Sequence, residues 1–123
     1  MRIVAGFLLI AFSVLKVQSQ NVYEITANIK PYTNGHLYLA YHFGNKQYLL
    51  DSAKIGENGN AVFTGKKNLQ GGVYMIVYPG KNSWVECIID KQQKFTLATD
   101  TSNAILNIQF EGSSDNVLFS TYQ

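Results

Sequence analysis

An all-β fold, an antiparallel β-sandwich of about eight strands with a short helix starting at its C-terminal end, follows from three features of the chain. Short segments of alternating apolar and polar residues repeat from Val22 onward. Gly, Asn and Pro separate them about every 8–12 residues, as in sandwiches and barrels. No sustained apolar period of 3.6 residues appears before the last ten positions.

The strands follow in order. Val22–Lys30 places Tyr23, Ile25, Ala27 and Ile29 on one face, and Pro31 with Thr33-Asn34-Gly35 ends it. His36–Phe43 directs Leu37, Leu39, Tyr41 and Phe43 inward; Gly44-Asn45 then turns the chain into Gln47–Ile55. Asn58-Gly59 reads as a two-residue hairpin turn, since both residue types tolerate positive φ, and leads into Ala61–Thr64. Val73–Tyr78, Trp84–Asp90, Lys94–Thr99 and Ile105–Phe110 complete the set. At the end, Ser114 is the expected N-cap, Asp115 suits a first turn, and Leu118, Phe119 and Tyr122 share one helical face.

The first segment has a different purpose. Met1-Arg2 is followed by the thirteen-residue apolar run Ile3–Leu15, and Lys16–Ser19 offers a cleavage point before Gln20. This is the layout of a secretory signal peptide over residues 1–19. A membrane span needs about 20 apolar residues, more than the run provides, so no transmembrane segment is expected in the mature chain. The expected location is the periplasm or cell envelope. Residues 20–112 form the expected sandwich domain, and 113–123 the start of a helix or linker. Gln123 follows the helical pattern without a Gly cap or polar tail, so the expectation is a parent chain continuing into a downstream domain.

Composition narrows the function classes. Of ten Lys and Arg, Arg2 and Lys16 leave with the signal peptide, and the remaining eight balance eight Asp and Glu. That balance gives no basic patch for nucleic acid. Cys87 is the sole cysteine; it has the parity of Val85 and Ile89 and no CxxC partner, and is expected to be core filler. His36 and His42 lie six residues apart on one strand, about 20 Å at the usual rise, too far to share a metal. Glu86 and Asp90 are about 13 Å apart by the same measure, beyond the spacing of paired glycosidase carboxylates. No phosphate-cradling glycine loop or nucleophile elbow is present. The chain is expected to have no catalytic residues, no metal and no cofactor.

The aromatic residues supply the candidate site. Trp84, Tyr74 and Tyr78 take the parity opposite the main apolar set of their strands, so they are candidate ligand-binding residues on an outer face. Flat rings there would stack on a carbohydrate. Tyr38 also has outward parity, but alone.

Several segments carry a resemblance. Gly35-His36-Leu37-Tyr38-Leu39, Leu50-Asp51-Ser52-Ala53, Gly59–Phe63 with Gly65, Gly72-Val73-Tyr74, Ile89–Leu97 and Gly112–Asn116 are similar, in order, to an uncharacterised sandwich domain of Gram-negative envelope proteins. In that family the domain usually precedes a thioredoxin-like thiol–disulfide oxidoreductase or peroxiredoxin-type domain. The resemblance implies a non-catalytic accessory module whose partner is a downstream thioredoxin-like domain or a separate protein. Positioning the active cysteines, limiting access to them, or forming a homodimer are the roles it suggests. The redox motif of that family, a downstream CxxC, lies outside these residues. An autonomous ligand- or carbohydrate-binding module is the alternative.

Overall fold

A computed structural model of the chain describes residues 21–121, so the signal peptide assigned to residues 1–19 lies outside the described residues, as does Tyr122. Eight strands and one helix follow one another: β1 (Tyr23–Lys30), β2 (His36–Phe43), β3 (Lys46–Lys54), β4 (Asn60–Gly65), β5 (Gly72–Val77), β6 (Trp84–Ile89), β7 (Lys94–Asp100), β8 (Gln109–Glu111) and α1 (Ser114–Ser120). They form two four-stranded sheets, ordered β4-β1-β7-β8 and β3-β2-β5-β6. All pairs run antiparallel except β1–β7, which is parallel at the centre of the first sheet.

The period-two pattern explains the core. Ile25, Ala27, Ile29, Ala61, Phe63 and Leu97 of the first sheet meet Leu37, Leu39, Ile76, Cys87 and Ile89 of the second, all essentially without solvent contact. A Val-, Leu-, Ile- or Phe-sized side chain is worth about 1.5–3 kcal/mol when fully buried, so these contacts dominate the fold. Tyr23 ties the layers together at one end, its hydroxyl donating to Asp51 Oδ2 on β3 at 3.2 Å.

The structure corrects several expectations. Asn58-Gly59 does not close a hairpin, because β3 and β4 belong to different sheets. Only Gly59 of the pair has positive φ, and the Asn58 side chain accepts from the Asn60 N–H within a crossover turn. Phe43 is 72% exposed, because the β2–β3 hairpin runs past the last β5 pairing at Tyr41. Ile105 and Leu106 are in a turn rather than the last strand, and both are exposed. Asp100 winds that turn: its Oδ1 accepts from the N–H groups of Ser102 and Asn103, and its Oδ2 from Asn107 Nδ2. The helix N-cap is Ser113, one residue earlier than expected. Leu118 is 60% exposed, and the buried helical residue is Asn116.

Asn116 attaches α1 to the sandwich. Its Oδ1 accepts from Ile88 N–H at 2.6 Å and its Nδ2 donates to the Ile88 carbonyl at 2.7 Å. The same Nδ2 donates to the capping Ser113 hydroxyl at 2.9 Å. A seven-residue helix is too short to persist by propensity alone, so this docking sustains it. Among the described residues no helix is long and apolar enough to cross a membrane.

Candidate interaction face

The two sheets present unlike outer faces. On the first sheet the outward positions Glu24, Thr26, Asn28 and Lys30 of β1 stand beside Lys94, Thr96, Ala98 and Asp100 of β7. That is the alternation expected of a sheet with one solvated face. The second sheet departs from it. Its strand registers place Tyr38, Val77 and Trp84 in one row, and Leu49, Ala40, Met75 and Glu86 in the next. Val73 and Ile88 pair below them.

Most of this surface is apolar. Met75 is 0% exposed and Ala40 nearly so, yet neither belongs to the core cluster between the sheets. Both lie on the outer side, where Gln47 Nε2 reaches Met75 Sδ at 3.9 Å. The short Ala40 side chain beside Tyr38, Leu49 and Val77 leaves a depression of about 190 Å³, with Lys81 at its rim. Leu49, Val73 and Trp84 remain substantially exposed. Charged groups at this face include Glu86, Lys54 opposite His36, and Lys81, whose Nζ sits 4.8 Å from the Tyr38 ring centroid.

Of the three sequence candidates, Trp84 stands on this face and is 44% exposed. Tyr74 and Tyr78 do not; both are buried in the core cluster with Ile76. The parity assigned to them is inverted because β5 lies between β2 and β6 and is apolar on both sides, so alternation cannot tell which side is inward. Each tyrosine ring fills core space. The Tyr74 hydroxyl escapes to the Gln70 carbonyl at 2.5 Å, whereas the Tyr78 hydroxyl is buried with no hydrogen-bond partner among the described residues. Burial pushes both phenol pKa values up, with Tyr41 adding for Tyr74 and Tyr32 for Tyr78. Tyr38, set aside as isolated, pairs with Val77, which pairs in turn with Trp84. The unbroken run Val73–Tyr78 was the sequence signal for a two-sided strand.

The remaining polar candidates are dispersed. Cys87 is fully buried, and desolvation, with a smaller contribution from Glu86, pushes its thiol pKa up to about 12. His36, His42, Glu86 and Asp90 are exposed. Among the described residues no group of three or more His, Cys, Asp or Glu side chains is placed to hold a metal ion.

The family model described as Domain of unknown function (DUF4369) matches residues 23–119. The chain belongs to this family. The DUF4369 match begins at the first residue of β1 and ends inside α1, so it spans both sheets and the docked helix. No curated protein and no solved structure matches the chain. The apolar outer face of β3-β2-β5-β6 is thus a surface of a DUF4369 domain.

Proposed function

We propose that this DUF4369 domain is a non-catalytic accessory domain of the cell envelope that docks onto a thioredoxin-like thiol–disulfide oxidoreductase. The observation that carries the reading is the outer face of the second sheet. A contiguous apolar surface rimmed by polar groups is the usual mark of a protein interface. Here Tyr38, Val77 and Trp84 sit beside Leu49, Ala40 and Met75. The partner class comes from the sequence resemblance, and the compartment from the pattern of residues 1–19. The buried, protonated Cys87 fits a division of labour in which the partner supplies the reactive thiols.

The test is titration of the domain with a thioredoxin-like envelope domain from the same source, followed by Trp84 fluorescence and amide chemical shifts. Binding should perturb Tyr38, Val73, Val77 and Trp84. The exposed-site variants Leu49→Asp and Val73→Asp should abolish it, while Thr96→Asp on the opposite sheet should not. Absence of binding, or binding indifferent to Leu49→Asp and Val73→Asp, ends this reading. The carbohydrate alternative is weakened, because two of its three rings lie in the core.

A further inference from the structure

We infer that the free edge of β6 between Trp84 and Glu86 is a binding site for an extended peptide segment, which adds there as a ninth strand. Among the described residues β6 is the last strand of its sheet and pairs only with β5. The N–H and C=O of Ile88 point away from β5, since both are held by Asn116. In an antiparallel ladder the outward-pointing main-chain groups recur at every second residue. The β5–β6 register runs without a shift from Ile89 to Trp84, so the N–H and C=O groups of Glu86 and Trp84 point the same way. No hydrogen bond from a described residue reaches them.

These groups open onto a groove. Trp84, Val85, Glu86 and Ile105 line a space of about 420 Å³ along the same flank where α1 packs against β6 and β8. Val85 is buried at its base, while Ile105 is 57% and Trp84 44% exposed. The helix closes this flank at Ile88 and leaves it open toward Trp84.

The molecule itself shows what the edge accepts. At Ile88 a side-chain amide supplies one acceptor and one donor, the pair that a peptide unit offers in β-strand addition. The two outward residues span about 7 Å of edge, the length of roughly three extended residues. The walls define the partner further: an apolar side chain against Ile105 and Trp84, and a Lys or Arg beside Glu86, the one charged side chain lining the groove. This site shares the Trp84 and Glu86 side chains with the sheet face but binds through the main-chain edge, and does not depend on the docking reading.

The test uses a pool of terminally blocked hexapeptides alternating Val or Ile with Thr or Lys, and the same pool N-methylated along one edge. In the free protein the Glu86 amide should exchange with solvent much faster than that of Ile88. Millimolar peptide should slow Glu86 exchange by about tenfold or more, and the N-methylated pool should not. Ile105→Asp, at an exposed turn, should remove the effect without moving the thermal midpoint, and Leu49→Asp should leave it intact. Unchanged Glu86 exchange, or equal protection by the N-methylated pool, overturns the proposal.

Discussion

Asn116 grips Ile88 as a neighbouring strand would, taking its N–H at 2.6 Å and its carbonyl at 2.7 Å through one side-chain amide. Truncation by Asn116→Ala strands both Ile88 backbone groups, while the Ser113 hydroxyl keeps the backbone N–H of residue 116. Each unsatisfied buried group costs about 1–3 kcal/mol, so a loss of about 2–4 kcal/mol in denaturant unfolding is expected. Asn116→Asp keeps the acceptor but turns an anion toward the Ile88 carbonyl. Its native carboxyl pKa is then raised, so stability relative to the Asn116 protein should be greatest at low pH and fall as pH rises through that pKa. A pH-independent Asn116→Asp variant would contradict this.

Gly65 faces the Tyr23 ring so closely that an added Cβ would lie 2.0 Å from Cε2. The ring has little room to retreat, being buried and hydrogen-bonded to Asp51 across the sandwich. Gly65→Ala should therefore cost about 1–3 kcal/mol, in the range of core overpacking. Loss of the Tyr23–Asp51 coupling in a double-mutant cycle built on Gly65→Ala would identify ring displacement as the cause.

The Tyr78 hydroxyl is buried without a partner among the described residues. Removing it should relieve a desolvation cost while keeping the ring against Tyr32, 5.8 Å away between centroids. Tyr78→Phe is expected to be neutral or up to about 1 kcal/mol more stable. A clear drop in the unfolding midpoint would show that the hydroxyl has a partner.

Cys87 should resist thiol reagents at pH 8 in the native protein and react at once in guanidinium chloride. The sign of its pH dependence follows from a pKa raised to about 12 in the fold. The native state holds the proton more tightly than the unfolded chain, whose thiol titrates near 8.5. Its contribution is complete below that value and declines as pH rises toward 12. Fast labelling of the folded protein would contradict the burial.

Asp100 behaves in the opposite sense. The Asn103 N–H first, then the Ser102 hydroxyl, with Asn107 and the Ser102 N–H adding, holds its carboxyl below the ordinary range. Its stabilising effect is present above the unfolded carboxylate pKa and lost as pH falls through the lower native value. Asp100→Asn should flatten that acid limb of a thermal-midpoint profile between pH 2 and about 5. An unchanged profile would assign the acid sensitivity to other carboxylates.

Much of the sandwich was legible because most strands bury one face, and Tyr23–Ile29 or Val85–Ile89 alternate cleanly. Strand β5 was not, since Val73–Val77 is apolar at every position and its inward parity depends on neighbours that a single sequence does not reveal. The same ambiguity hid the candidate face, whose Met75 and Ala40 look like core in any hydropathy pattern. Asn58-Gly59 carried a hairpin signal, but inter-sheet packing, not turn chemistry, decided which strands pair. Asn116 left no sequence trace because polar burial depends on the distant Ile88 backbone.

The parallel neighbours β1 and β7 set the schedule on which the domain can assemble. Glu24 lies opposite Lys94 and Lys30 opposite Asp100, so the earliest strand waits for almost the last one before its sheet has a middle. Such distant partners make chain closure the slow event of folding. A nascent chain cut short between residues 90 and 93 has the second sheet and the β1–β4 pair, but lacks the strand that joins that pair to β8.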